Sequence, residues 1–223
     1  RPRIHVNRTP RPPRPEPISS QPADETPPGE TVMTFVKLLL SFAPWIAFLI
    51  IARDTLHRVE IGLVAALILS VVMAGLKLHR GIIMYVGVTF FTGATIAVLG
   101  FHNMWTIRHL GVLANGALAI GSWVTLLIGR PFTLDYARQH TDPAKWHDPV
   151  FIRVNELLTS VWAATFTANT VIAWVLMKHL MPEWVCHAAS YTTLIAAAAF
   201  TSWYPAHLRK RAARAQQVAP EPA

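Results

Sequence analysis

Six apolar runs, each about twenty residues long, dominate this sequence of 223 residues. A helix needs about 20 apolar residues to cross the hydrocarbon core of a bilayer, so runs of this length predict membrane spans. Only 14% of the residues are charged, against roughly 25% in an average soluble domain. The sequence therefore predicts an all-α, polytopic membrane helix bundle. Its runs lie at about 33–51, 61–77, 82–101, 110–128, 154–177 and 187–204.

The number of spans depends mainly on the second run. Ile61 to Leu76 has only sixteen residues without a charge, which is close to the lower limit of ~17 residues for a spanning helix. Six spans are the preferred prediction. Five spans, with the second run re-entrant or interfacial, are the alternative.

The positions of the positive charges predict the orientation. Lys and Arg collect in the cytoplasmic loops of membrane proteins. If both termini are cytoplasmic, as six spans require, sixteen of the twenty Lys and Arg residues lie inside. Topology thus accounts for the net charge of +8, and no nucleic-acid-binding module accompanies that charge. We expect both termini in the cytoplasm and no nucleic-acid partner. The four basic residues left outside are Arg53, Arg58, Arg108 and Lys178.

The two ends of the chain differ from the bundle at 33–204. The first thirty residues contain nine prolines and five arginines. Proline removes backbone donors and favours extended conformation, so residues 1–32 are predicted to form an extended cytoplasmic head. They lack the short apolar region of a secretory signal. Residues 205–223 are predicted to form a basic cytoplasmic tail.

The longest loop between spans, residues 129–149, is predicted to lie at the membrane interface. Its apolar side chains are expected on the membrane surface, while its basic residues meet anionic lipid headgroups. These apolar side chains are Phe132, Leu134, Tyr136 and Trp146.

Small and polar residues mark the helices expected to pack closely. Gly111, Gly116 and Gly121 make the fourth run narrow, which favours close helix contacts. Asn115 lies in the same run and Asn169 in the fifth, and such side chains usually hydrogen-bond between helices. The sixth run is also rich in small residues, so both the fourth and the sixth are candidates for buried or partner-facing positions.

Few charged residues lie inside the runs. Arg153 and Glu156 are spaced i, i+3, which places them on one helix face and predicts an ion pair. Trp162 lies deeper in the same run, where packing between helices is the expected role.

No pattern in the sequence predicts a catalytic, metal or cofactor site. Cys186 is the single cysteine, and the ten histidines include no HExxH motif. The pairs His102/His109 and His140/His147 lie in segments predicted to be loops on opposite sides of the membrane. Nucleophile and phosphate-binding motifs are also missing. We therefore expect a protein without cofactors that is not an enzyme.

Short motifs in order along the chain carry a family resemblance. Phe42, Ala43 and Pro44 resemble a Phe-x-Pro motif in a first span, and Asn169 resembles an asparagine within a later span. Over about 35–208 the chain resembles the intracellular septation protein A family of bacterial inner-membrane proteins, also called YciB. Two further motifs are a basic-Pro-hydrophobic turn, at Arg130, Pro131 and Phe132, and a spread tryptophan–asparagine–tryptophan pattern, at Trp146, Val154, Asn155 and Trp162.

This resemblance implies a non-enzymatic protein of septum formation, cell division and the cell envelope. It would act as a scaffold or accessory subunit in contact with other membrane proteins. The alternative hypothesis is a small-molecule or lipid transporter with a site among Asn115, Thr165 and Asn169, and a membrane enzyme using residues 129–149 ranks last. Under the scaffold hypothesis, Asn169→Leu is expected to leave the protein largely intact. The candidate interaction or packing residues are Gly111, Asn115, Gly116, Gly121, Arg130, Arg153, Glu156, Trp162 and Asn169.

Overall fold

A computed structural model describes residues 42–52, 55–76 and 81–218. This part of the chain is helical and contains no strand, which confirms the all-α class for the described residues. Its helices are α1 (Ala43–Ile51), α2 (Leu56–Gly75), α3 (Ile82–Thr95), α4 (Met104–Leu127), α5 (Phe132–Ala137), α6 (Pro149–Met177) and α7 (Glu183–Val218). A π-helical turn, Ile96–Gly100, continues α3, and two 3-10 turns, Arg138–His140 and Pro143–Lys145, lie between α5 and α6.

Several sequence predictions concern residues outside the described part. These are the Pro/Arg head at 1–32, the first part of the first run at 33–41, the loop at 77–80, and the last tail residues at 219–223.

Four helices are long and apolar enough to cross a membrane: Leu56–Gly75, Ile82–Gly100, Met104–Leu127 and Pro149–Met177. They correspond to the second to fifth predicted runs. The second run forms part of a helix of 20 residues. This helix is longer than the sixteen uncharged residues of the run and is long enough to cross a bilayer. The sixth run lies within α7, which is not among the four, and the first run is described only from Ala43 onwards.

Three of these helices begin earlier than their apolar runs. A polar side chain accepts a hydrogen bond from the backbone at each start and so caps the first turn. The caps are Thr55 for α2 (3.3 Å to the Arg58 N–H), Asn103 for α4 (3.1 Å to the Thr106 N–H) and Asp148 for α6 (2.7 Å to the Val150 N–H). The prediction that His109 lies in a loop is therefore wrong, because it lies in the first turns of α4.

Aromatic rings fill the contact between α1 and α3. The Trp45 ring centre lies 5.1 Å from that of Phe90 and 4.7 Å from that of Phe91. Gly62 of α2 lies against α1, where an added Cβ would come within 2.9 Å of the Ala52 Cβ. Tight contacts between neighbouring helices thus hold the first three together.

Helices α4 and α6 run antiparallel. Gly111 faces Ala173 and Gly116 faces Thr170, with an added Cβ at 3.5 and 3.9 Å from those side chains. The start of α4 therefore lies beside the end of α6. We call this region the Arg108 end, made of residues 101–112 and 173–187. The opposite region is the Asp135 end, made of Gly81, residues 129–148 and the first turns of α6.

Candidate functional site

The loop at 129–149 packs against the bundle and does not present its apolar side chains outward as predicted. Phe132, Leu134 and Tyr136 of α5 are buried against the bundle, and Trp146 is partly buried. The Trp146 indole donates a hydrogen bond to the Thr141 carbonyl (2.9 Å). The prediction that these side chains lie on the membrane surface is therefore wrong for Phe132, Leu134 and Tyr136, because α5 packs into the protein. The interfacial position of the loop stays a prediction.

A buried threonine fastens α5 to α6. The Thr133 hydroxyl lies 2.9 Å from the Asn155 carbonyl oxygen and 2.9 Å from the Thr159 hydroxyl. The Thr133 backbone N–H also donates to the Thr159 hydroxyl (3.4 Å). All three residues are buried, so these bonds are shielded from water. Thr133 was missed in the sequence because its partners lie 22 and 26 residues further along the chain.

Asp135 is a partly buried acidic residue at this end of the bundle, where Asp142 and Asp148 are exposed. An added Cβ on Gly81, which precedes α3, would lie 3.3 Å from its Oδ2. Burial raises the pKa of the Asp135 carboxyl, while the charges of Arg138 and Arg130 act against that rise.

The predicted interaction residue Arg130 is exposed, and it follows Gly129, where α4 has ended.

Two predicted residues hold α6 to α7. Asn169 is 1% exposed, and its amide donates to the Thr165 carbonyl (2.9 Å) and the Thr193 hydroxyl (2.8 Å). Its Oδ1 accepts from the Ser190 hydroxyl. The Trp162 indole donates to the Thr201 hydroxyl (3.0 Å). These bonds join two helices, so Asn169→Leu is now expected to weaken the bundle, contrary to the sequence expectation.

The partners on α7 follow a pattern that the sequence contains. Ser190, Thr193, Ala197 and Thr201 are spaced by three or four residues, which places them on one face of the helix. A polar face of this kind inside an apolar run indicates a buried helix contact. Helical periodicity could thus have identified the face of α7 that meets α6.

The small residues of α4 make contacts within the chain. Gly111 and Gly116 face α6, and an added Cβ on Gly121 would lie 2.7 Å from the Val86 side chain of α3. The Asn115 amide donates to the Gly111 carbonyl in its own helix (2.9 Å). The close helix contacts predicted for this run are therefore formed with α3 and α6 of the same bundle.

The predicted ion pair of Arg153 and Glu156 is not formed. Both side chains are exposed in the first turns of α6. Within residues 42–52, 55–76 and 81–218, the ion pair with an N–O distance below 4 Å is that of His57 Nδ1 and Glu60 Oε2, at 3.9 Å. Exposed i, i+3 side chains gain little by pairing in water, which explains why spacing alone was a weak guide.

The Arg108 end contains an open groove of about 360 Å³. It lies between the start of α4, the end of α6 and the start of α7. Apolar residues form part of its lining, together with four side chains that can bear charge. The polar lining residues are Arg108, His179, Glu183 and His187.

The backbone at the groove has an unusual conformation at His179. Its φ angle is +53°, in the left-handed region that glycine usually occupies after a helix. The His179 N–H donates to the Leu176 carbonyl, and the Leu180 N–H donates to the Val175 carbonyl. These two bonds form the hydrogen-bond pattern of a Schellman motif. At the Asp135 end the same pattern closes α4 with Gly129, whose φ is +68°.

The described residues contain no group of three or more His, Cys, Asp and Glu side chains able to hold a metal ion. The four groove residues were missed as a set, since Arg108 and Glu183 are 75 positions apart and belong to different helices. Comparison with protein-family models, curated proteins and solved structures finds no match to this chain.

Proposed function

We propose that this chain is a non-enzymatic scaffold or accessory subunit that acts through contacts with other membrane proteins. The observation that carries the proposal is the outward face of α7. Four small residues, each about one turn from the next, are exposed on the side of α7 opposite to the α6 contact. They are Ala188, Thr192, Ala196 and Ala199. Small residues at such spacing allow a second helix to approach closely in a membrane.

The use of the deep polar residues also supports a packing role. Asn169, Trp162 and Thr133 all join helices through hydrogen bonds. The transport alternative receives less support, because the Asn115 amide and the Thr165 hydroxyl donate to carbonyls of their own helices. The groove at the Arg108 end and the small cavity beside Trp45 and Ser70 are not lined by Asn115, Thr165 or Asn169.

The finer parts of the proposal are six spans, cytoplasmic termini and a place in a bacterial inner membrane. Basic residues support this orientation, because Arg130, Arg138, Lys145 and Arg153 all lie at the Asp135 end. The same end then faces the cytoplasm and anionic lipid headgroups. A role in septation and the cell envelope follows from the family resemblance and completes the proposal.

Site-specific photo-crosslinking in native membranes tests the outward face of α7. A crosslinker at Ala196 should capture one membrane protein that also co-purifies in stoichiometric amount after mild detergent extraction. The matched control is Ile68 of α2, which is also exposed in a predicted span but belongs to no small-residue face.

Three outcomes would overturn the proposal. Ala196 could crosslink no more protein than Ile68, it could capture a second copy of this chain, or it could capture residues 33–41 of the same chain. The first result would leave the face to lipid, the second would make the protein a homo-oligomer, and the third would make the face internal.

A further inference from the structure

The groove at the Arg108 end has the size of a ligand site. Its volume of about 360 Å³ falls within the roughly 300–1,000 Å³ typical of small-molecule pockets. Gly111 helps to keep it open, because it contributes no side chain to the floor beside Ala173. Val112 and Leu176 add apolar lining. The groove can therefore accept an apolar chain as well as a polar group.

Two opposite charges line this groove without neutralising each other. Arg108 and Glu183 are both exposed, and they form no ion pair within 4 Å among the residues that the structure describes. Glu183 also lies in the first turn of α7, where a carboxylate stabilises the helix dipole. The groove thus offers separate partners to an anion and to a cation of the same molecule.

When the candidate spans cross a bilayer, the groove at their ends comes to the depth of the lipid headgroups. The candidate spans Met104–Leu127 and Pro149–Met177 begin and end beside it. Trp105 and Trp184 are exposed at 58% and 73% next to it, and exposed tryptophans are typical of the boundary between water and lipid. A lipid with both charges in its headgroup therefore meets the groove directly from the bilayer.

We propose that this groove binds phosphatidylethanolamine. The lipid phosphate pairs with the Arg108 guanidinium, and the primary ammonium donates hydrogen bonds to the Glu183 carboxylate. An acyl chain lies along the apolar lining towards Val112 and Leu176. Phosphatidylglycerol lacks the ammonium, and phosphatidylcholine has a quaternary ammonium without N–H donors, so each loses one of these contacts. This binding is independent of the scaffold function proposed above.

Lipid binding to the purified full chain tests this inference. Native mass spectrometry should compare three lipids with identical acyl chains: phosphatidylethanolamine, phosphatidylglycerol and phosphatidylcholine. A hydrogen bond to a charged group typically changes affinity by about tenfold or more. We expect the ethanolamine lipid to bind about tenfold more tightly than either of the others. Equal binding of the three lipids would overturn the inference without any variant being needed.

Charge variants then assign the two contacts. Arg108→Gln should weaken the ethanolamine and glycerol lipids together, whereas Glu183→Gln should weaken the ethanolamine lipid alone. Arg58→Gln is the matched control, because Arg58 is exposed at the start of α2 and does not line the groove. A loss with Arg58→Gln as large as that with Arg108→Gln would show non-specific attraction and overturn the assignment.

A charge exchange guards against variants that fold poorly. Arg108→Glu alone should abolish the preference for the ethanolamine lipid, and Arg108→Glu combined with Glu183→Arg should restore it at least in part. The double variant keeps both charges in the groove, so a restored preference identifies charge recognition. If thermal unfolding shows a folded double variant with no restored preference, the proposed pairing is wrong.

Discussion

The two ends of the bundle use their polar residues in opposite ways. At the Asp135 end, the hydroxyl of Thr133 is buried and bonded to α6, and a glycine closes α4. At the Arg108 end, Arg108 and Glu183 are exposed beside an open groove, and His179 occupies the left-handed position. The first arrangement stabilises the fold, while the second leaves charges ready to bind. Under the lipid-binding proposal, stability and recognition are located at different ends of the same helices.

The largest expected effect comes from removing the bond network at the Asp135 end. Thr133→Val keeps the side-chain shape but removes the two hydroxyl bonds, to the Asn155 carbonyl and the Thr159 hydroxyl, while the backbone N–H bond to Thr159 remains. A hydrogen bond typically contributes about 0.5–1.5 kcal/mol, so the loss of two should lower the free energy of unfolding by about 2 kcal/mol. Denaturant unfolding in detergent measures this loss.

Thr141→Val is the control for that measurement. The Thr141 hydroxyl donates to the Ala137 carbonyl in its own segment (2.8 Å) and joins no two helices. A loss of stability with Thr141→Val equal to that with Thr133→Val would show that α5 is not fastened through Thr133.

Two of the helix ends with positive φ, at Gly129 and His179, should respond with opposite signs. Gly129→Ala places a Cβ in the left-handed region, although nothing lies within 4 Å of it, and should lower stability by about 1 kcal/mol. His179→Gly removes a Cβ from the same conformation and should raise stability by up to about 1 kcal/mol. Thermal unfolding of both variants compares the ends directly.

Gly75→Ala separates backbone strain from the effect of a methyl group. Gly75 ends α2, an added Cβ there also meets nothing within 4 Å, and it is not among the residues with positive φ. The substitution should leave stability unchanged or slightly higher, because alanine favours helix more than glycine does. A loss like that of Gly129→Ala would contradict the strain argument.

The smallest expected effect is the pH dependence of Asp135. Burial raises the pKa of its carboxyl in the folded protein, so the folded state binds the proton more tightly than the unfolded state. The contribution of Asp135 to stability is therefore present below its ordinary pKa and is lost as the pH rises through the raised value. Asp135→Asn removes this loss, so its stability relative to wild type should increase as the pH rises above about 4, the ordinary pKa of an aspartate.

Thermal unfolding across that pH range gives the difference between the two proteins. Asp142→Asn serves as control, because it removes an exposed carboxylate from the same loop. A difference for Asp135→Asn that shrinks as the pH rises would contradict the direction of the pKa shift.

The sequence predicted the helical class and the central spans because long apolar runs need no tertiary information. It placed the starts of α2, α4 and α6 too late, since an apolar run marks the part of a helix in hydrocarbon rather than the whole helix. Arg58, Arg108 and Arg153 belong to these helices but lie in their first turns. The capping residues Thr55, Asn103 and Asp148 were visible in the sequence and mark the true starts.

Much of the candidate site could not be predicted in the same way. The contact of Thr133 with Asn155 and the groove shared by Arg108 and Glu183 join residues far apart in the chain. Their positions depend on how the helices pack, which no local pattern encodes. The α7 face that includes Ser190 and Thr193 is different, because its spacing was present in the sequence.

Pro205 creates a position within α7 at which the helix can bend. Proline has no N–H, so the Thr201 carbonyl lacks its helical partner, while the Thr201 hydroxyl is held by Trp162. The turn before Pro205, which lacks one helical hydrogen bond, therefore lies directly beside the contact between Thr201 and Trp162. From Pro205 to Val218 the helix extends about 20 Å, and it carries Arg209, Lys210 and Arg211. A small bend at Pro205 becomes a displacement of several ångströms at the far end, as in a lever.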